Sequence, residues 1–290
     1  MATRTVAFYV DLEQDDARRV ATEVTAGARH AGYSVALCDG QNTSLKLADA
    51  GARVEDAKLL VAIGGDGTLL RAARIAYPYD IPLLGINTGR LGFLTELELD
   101  GDGQTGRELE RLLADSSKLV IEERAALEAR IEDGQTFVAL NDVVVHKGDA
   151  SRVDTFRLSL DSEHVADLPS DGVVVATATG STAYFLSAGG PIISPSVDAF
   201  GIAALLPHTL FARPLIVPTS STIEIIVGSE NVHANLEADG EKVADLPPNA
   251  RVLIRRAAKP MRFAHDGPLR YFSRLERKLR WGVPIRRTSR

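Results

Sequence analysis

The apolar run Leu59-Leu60-Val61-Ala62-Ile63 stops at Gly64-Gly65-Asp66-Gly67-Thr68, and Leu69-Leu70-Arg71-Ala72-Ala73-Arg74-Ile75 follows without a gap. The run reads as a buried strand, and the segment after the turn has the composition of a helix. Strand, glycine turn and helix in this order point to an open α/β sheet, whose ligands gather at the carboxyl edge of the strands. Gly64, Gly65 and Gly67 allow backbone N–H groups to approach a polyphosphate. The helix starting near Thr68 adds a favourable dipole and a hydroxyl. Asp66 is the odd member, because a carboxylate repels phosphate. It implies a group that binds a metal, takes a proton from a hydroxyl, or both. Asp-Gly is also common turn chemistry, and strand-to-helix junctions use glycine for geometry alone. The placement at a strand's carboxyl edge favours chemistry.

The first hundred residues alternate strand and helix. Strands are expected at 5–10, 34–37, 58–63 and 81–86, with helices over 15–32 and 107–114. That alternation predicts a parallel sheet covered by helices. After Lys118 the rhythm becomes mainly β, with strand-like stretches at 118–131, 136–145, 155–160, 173–178, 214–217, 222–227 and 251–254. Glu132-Asp133-Gly134-Gln135 reads as a hairpin turn. A last helix carries Phe272, Leu275 and Leu279 on one face, with Arg274, Arg277 and Lys278 on a face expected to be solvated. The predicted organisation is an α/β domain over 1–117 carrying the glycine turn and a β-rich domain over 118–266. A C-terminal helix and basic tail over 267–290 would pack back on the first domain.

The 290 residues are 45% hydrophobic and 25% charged, ordinary for a soluble protein, and the net charge of −6 argues against a nonspecific nucleic-acid binder. Cys38 is the only cysteine. This excludes an internal disulfide or a cysteine-cluster metal site and suits a reducing, cytoplasmic setting. No apolar stretch is long enough to span a bilayer, and the opening run before Asp11 is too short for a signal sequence.

Gly101-Asp102-Gly103-Gln104-Thr105-Gly106 matches the dinucleotide fingerprint in letters only. The residues before it are acidic, so a polar surface loop is the expected reading. No lysine follows a glycine, which excludes a Walker A loop. Asp171-Gly172, a strand, and Thr179-Gly180-Ser181-Thr182-Ala183-Tyr184 form a second feature. Its small residues leave room for a planar ligand that Tyr184 could pack against, or they allow a tight turn. Asn141-Asp142 at a strand end could read an adenine edge and a ribose hydroxyl, or cap a turn. His146, His208 and His233 lie near these elements without metal-ligand spacing.

Together these blocks resemble the NAD kinase family. The likeness adds Asn87-Thr88-Gly89-Arg90-Leu91-Gly92-Phe93-Leu94-Thr95, Val143-Val144-Val145-His146, Ser187-Ala188-Gly189-Gly190-Pro191, Pro207-His208-Thr209-Leu210, Arg213-Pro214 and Asp239-Gly240. The resemblance implies phosphorylation of the adenosine ribose 2′-hydroxyl of NAD by ATP or polyphosphate. It also implies an α/β domain followed by a mainly β domain, with the nucleotide in the cleft between them. By the same likeness Asp66 is the proton acceptor, with Gly67 beside it, and Phe93 lines the pocket. Asn141 and Asp142 hold adenosine, and Asp171 the nicotinamide end. Thr182, Ala183, Tyr184 and Ser187 complete the adenine and ribose contacts, and Arg71 and Arg152 touch the dinucleotide. The family implies Mg²⁺ and a homodimer or homotetramer, with neither nucleic acid nor membrane as a partner. Departures from its pattern are Ala178, where relatives often have proline, and Pro169, where they are often basic or polar.

Two alternatives stay open on the residues. A lipid or sugar kinase could share the glycine turn, though a lipid kinase calls for an apolar groove or interfacial helix that the chain does not show. A non-catalytic regulator that senses NADP would have no use for Asp66.

Overall fold

The computed structural model describes residues 4–38, 41, 45–89, 92–98, 104–132, 134–148, 154–228, 233–267 and 271–280. It divides into two compact units, one of residues 1–122 with 262–290 and one of residues 123–261.

The first unit is built on a seven-stranded sheet. Strands Arg4–Val10 and Ala57–Gly64 are its centre, with Tyr33–Leu37 on one side and Leu83–Asn87 on the other, all parallel. Such strands are apolar along most of their length because both faces are covered. On one face Val6, Phe8, Val61, Ile63, Leu84 and Ile86 share a core with the helices Asp15–His30 and Gln104–Ala114. On the other, the helix Asp66–Ala76 packs so closely that a Cβ on Gly85 would lie 2.5 Å from Leu69. The strands Met261–Asp266 and Leu119–Arg124 extend this same sheet beyond Leu83–Asn87, with Phe263 in parallel register with Leu83. The sheet pairing therefore draws both strands out of the β-rich segment to which the sequence rhythm assigned them.

The Gly101–Gly106 match resolves in part. Gly106 is not in a surface loop. It lies in the helix Gln104–Ala114, where a Cβ would meet Glu23 carbonyl oxygen at 2.7 Å, and Gly27 meets Gly106 just as closely. Two glycines let two helices touch. Gly101 and Gly103 fall outside the described residues.

The second unit is a pair of six-stranded antiparallel sheets. Their facing sides bury one core. Leu127, Phe156, Ile225 and Val252 come from one sheet, and Val143, Val145, Val173, Val175 and Leu236 from the other. The period of two then fixes what the second sheet turns outward: Val144 and His146, Val174 and Ala176, Ala203 and Leu205. Phe185 covers part of that outer face and is fully buried. Gly190 and Gly201 make room for it, since a Cβ on either would lie within 2.4 Å of the ring.

The stretch expected as one strand over 136–145 is two, Thr136–Ala139 and Asp142–Lys147. The break has a specific cause. The Asp239 carboxylate accepts the backbone N–H groups of Leu140, Asn141 and Asp142 at 2.9, 2.6 and 3.2 Å, taking them out of any ladder. The stretch over 118–131 divides likewise at Ala125-Ala126. The strands Glu163–Ser170, Ala199–Leu205, Ala234–Ala238, Glu241–Leu246 and Met261–Asp266 were not anticipated.

Candidate active site

Asp66 is the first residue of its helix, with Gly65 at the N-cap in an extended conformation. Its carboxylate is tied down from outside the helix. Oδ2 accepts the Phe93 N–H at 2.9 Å and Oδ1 the Leu94 N–H at 3.1 Å. The loop can wrap this closely only because residue 92 is glycine: a Cβ there would lie 2.1 Å from Oδ1. Two backbone donors in fixed positions set the carboxylate plane.

Around this group the turn is open. Among the described residues, a Cβ on Gly65 or Gly67 would meet nothing within 4 Å, and neither residue has a positive φ. Gly67 sits in the first turn of the helix, where glycine costs about 1 kcal/mol relative to alanine. Among the described residues, no packing or backbone strain calls for these two glycines. They leave bare backbone facing open space, as a phosphate-binding turn requires. Gly64 is different. Its φ is +154°, and a Cβ would lie 2.3 Å from Thr68 Oγ1.

Thr68 departs from expectation. Its side chain is buried and its hydroxyl donates to Asp11 Oδ2 at 3.3 Å, so the hydroxyl is not presented at the turn. Gly64, lacking a Cβ, leaves the room for it to turn inward. Arg71 is exposed on the same helix, and Phe93 is buried with Lys278 above its ring at 4.2 Å.

The solvated face expected for the last helix needs correcting in part, since Arg277 is exposed but its two neighbouring cations are engaged. In Tyr271–Leu279, Arg274 is largely buried and pairs with Glu96, and Lys278 Nζ lies 3.1 Å from Asp66 Oδ2. Carboxylates on neighbouring elements recruit these cations, and nothing in the helix's own sequence could show that.

In the second unit the outward face of the second sheet carries a cavity of about 740 Å³, and Asp171, Tyr184 and Ser187 line it with Val144, His146 and Glu237. Lys147 Nζ reaches Asp171 Oδ1 at 2.6 Å, and His146 Nε2 lies 3.0 Å from Glu237. Sequence reasoning gave no role to Lys147 or Glu237. For Glu237 the only signal was position, since it alternates with the inward-facing Leu236 and Ala238, whereas Lys147, next to the outward-facing His146, had none.

Asn141 and Asp142 occupy the turn that Asp239 clamps. Asp142 is buried, and its carboxyl is pushed up to about 7, first by burial and then by the charges of Asp239 and Glu237, with the Tyr184 backbone hydrogen bond pulling the other way. The small-residue stretch proves to be a tightly knit turn. A Cβ on Gly180 would lie 2.0 Å from the Asn141 carbonyl oxygen, and Thr177 donates to the Leu140 carbonyl at 2.6 Å. Ser181 is buried against Ala178 and Ile193. Thr182 and Ala183 are half-buried just before Tyr184, which is 46% exposed. Gly180 and Ser181 thus serve packing, and the packing delivers Tyr184 and Ser187 to the cavity. Arg152 lies outside the described residues.

Comparison with known proteins adds to this picture. Residues 6–117 match the model of the ATP-NAD kinase N-terminal domain, and residues 140–265 that of the ATP-NAD kinase C-terminal domain. The chain is 42% identical to an NAD kinase of Heliobacterium modesticaldum, over 79% of this chain and 81% of the relative. It is 35% identical to an NAD kinase of Moorella thermoacetica, over 96% and 89%. The yeast NADH kinase solved with NADH superposes with a TM-score of 0.86 at 24% identity, covering 99% of this chain and 90% of that one. An Archaeoglobus fulgidus NAD kinase solved with ATP gives 0.70 at 23%, covering 96% and 97%.

The structural likeness defines the fold class, an α/β unit joined to a mainly β unit. The sequence likeness goes further: the chain belongs to the NAD kinase family.

Proposed function

We infer that this protein is a kinase that transfers a phosphoryl group from ATP to the adenosine ribose 2′-hydroxyl of NAD, giving NADP, with Asp66 as the base. The observation that carries the assignment to Asp66 is the caged carboxylate beside an open glycine turn. Its plane is set by the Phe93 and Leu94 N–H groups, while Gly65 and Gly67 leave room for phosphate. A base held in one orientation accepts a hydroxyl proton without first reorganising, and bare backbone N–H groups take charge from the donor. The relatives named NAD kinase, the NADH held by the yeast enzyme and the ATP held by the archaeal one support the substrate pair.

Asn141, Asp142, Asp171, Thr182, Ala183, Tyr184 and Ser187 are read as the dinucleotide contacts of the second unit. Asp171, Tyr184 and Ser187 supply polar edges and an aromatic face in a cavity large enough for part of a dinucleotide. Asp142, buried beside two other carboxylates, is suited to a polar contact with a sugar or base. Phe93 and Arg71, in the first unit, are read as further dinucleotide contacts.

Among the described residues no three His, Cys, Asp or Glu side chains gather as a metal-binding group. Mg²⁺ is read as a ligand of the donor's phosphates, where it would neutralise charge on the oxygens. A homodimer or homotetramer is supported by Leu206, Leu210 and Phe211, which are 75%, 83% and 87% exposed in the β unit. A reducing, cytoplasmic setting agrees with the single, buried Cys38. Among the described residues no helix is long and apolar enough to cross a membrane.

The test is turnover. Purified protein with ATP, Mg²⁺ and NAD should yield NADP, and Asp66→Asn should lower kcat by about two to four orders of magnitude while NAD still binds. A loss below about tenfold would remove Asp66 from the chemistry.

A further inference from the structure

Lys278 lies against Asp66 in a way the family reading leaves unused. Its ammonium is 3.1 Å from Oδ2 and 4.2 Å from the centroid of the Phe93 ring. The helix that carries it is firmly placed. Leu275 is 3% exposed, and Arg274, one turn before Lys278 on the same face, pairs with Glu96. Glu96 in turn meets His265 at 2.9 Å, and the other nitrogen of that buried ring meets Glu122 at 3.1 Å. A buried network thus anchors the helix, while the lysine side chain, 31% exposed, hangs from a flexible four-carbon stem.

Oδ2 already accepts the Phe93 N–H, so the ammonium stands on the approach that a hydroxyl needs to reach that oxygen. For transfer to occur it has to move, and the anion that arrives with the hydroxyl is the donor phosphate. The chain has no lysine after a glycine, so the turn itself brings no P-loop cation. Phosphoryl transfer nevertheless calls for positive charge on the group in flight. A phosphorus in line with a hydroxyl held by Asp66 sits within the swing of a side chain that begins at Asp66.

We propose that Lys278 is a further catalytic residue: it leaves Asp66 as the substrates bind and places its charge on the phosphoryl group being transferred. This rests on the reading of Asp66 as the base. In the step, the bond from the 2′-oxygen to the γ-phosphorus forms and the bond from that phosphorus to the β–γ bridging oxygen breaks. The hydroxyl proton passes to Asp66, and ADP leaves with the electron pair. Lys278 exchanges no proton. It trades one anionic partner for another.

The experiment compares Lys278→Ala, Lys278→Arg and Arg277→Met with Asp66→Asn, each checked for folding by thermal melting and for NAD binding by calorimetry. Lys278→Ala should lose about 10²–10³-fold in kcat with KM for NAD within about threefold, as when one charge-stabilising donor is removed. Lys278→Arg should recover at least tenfold of that loss, and added propylammonium should raise the rate of Lys278→Ala. Arg277→Met should stay within about twofold of wild type. A Lys278→Ala enzyme as fast as wild type, or faster, beside an inactive Asp66→Asn would overturn the role of Lys278 and leave that of Asp66 standing. A wild-type rate in Asp66→Asn would overturn both. If Lys278→Ala does not fold, the arginine variant decides, since a folded Lys278→Arg slower than wild type by more than about 10³-fold rejects a role carried by charge alone.

Discussion

Gly92 lies against Asp66 so closely that a methyl group on it would stand 2.1 Å from the carboxylate oxygen Oδ1. The carboxylate is therefore seated by the absence of a side chain as much as by the Phe93 and Leu94 N–H groups.

Gly92→Ala should push Asp66 out of this seat by roughly 1 Å, enough to cost about 10²-fold in kcat when geometry decides the rate. NAD binding and the melting temperature should change little, because the turn is local. Steady-state kinetics beside a melting curve checks this, and unchanged kcat would show that Asp66 tolerates displacement.

Asp142 yields a prediction with a sign. Its folded pKa, about 7, lies above the ordinary carboxylate value near 3.9. Between those values the unfolded chain loses this proton while the folded protein keeps it, so the unfolded state binds fewer protons and the group lowers stability as pH rises. Above about 7 the penalty is constant. Asp142→Asn should raise the melting temperature at pH 8 and give no gain near pH 4, measured against wild type in matched buffers. A gain equal at both pH values would mean that the carboxyl is not strained. Asp142→Ala should also raise KM for NAD about ten- to a hundredfold, more than it lowers kcat.

His265 acts in the opposite sense. Burial pulls its pKa down, but hydrogen bonds to Glu122 and Glu96 and their charges outweigh burial and raise it. A raised histidine pKa contributes stability that is fully present below about 6.5, its unfolded value, and is lost as pH climbs through the folded one. Glu96 also feels burial first, as an upward push, but His265 and Arg274 bring its pKa below the usual value. Its contribution is present above about 4.3 and fades as pH falls through the folded pKa. Denaturant unfolding from pH 4 to 9 should show His265→Gln losing most stability relative to wild type at mildly acidic pH, with the gap narrowing on the alkaline side. A constant gap would contradict a charged His265.

Phe211 is 87% exposed and Leu210 83%, more apolar surface than a lone chain gains from. Sedimentation at micromolar concentration should show an oligomer for wild type, and Phe211→Asp should shift it toward monomer. Wild type running as a monomer would remove this face as an interface.

Much of the fold was legible because its signals are local. The run Leu59–Ile63 stops at Gly64, helix spacing appears in Asp15–His30, and Gly134, with φ +88°, turns the hairpin between Leu127–Ile131 and Thr136–Ala139. What stayed hidden depends on partners far away in sequence. The break at Leu140-Asn141 is set by Asp239, almost a hundred residues on. The polar strand Glu163–Ser170, an edge strand half open to water, lacks the apolar alternation that reveals others. The site divides the same way. The glycine turn carries its own signature, whereas the role of Lys278 could not be read from a basic helix face, because the carboxylate it meets is 212 residues earlier.

The first unit is assembled from two separate stretches of the chain, with Met261–Asp266 as an inner strand of its sheet and Tyr271–Leu279 tied to it through Glu96 and Asp66. During synthesis the second unit, continuous from 123 to 261, emerges whole while the first still lacks a strand. The α/β half, begun earliest, therefore matures after the second unit, and Asp66 meets Lys278 only once residues 123–261 have been made. A truncated product that stops before residue 261 would carry the glycine turn and the whole β unit yet have an unfinished sheet, open to pairing with other chains. Quality control by proteolysis has a ready target in that intermediate, so Met261–Asp266 and Tyr271–Leu279 act as the first unit's certificate of completion.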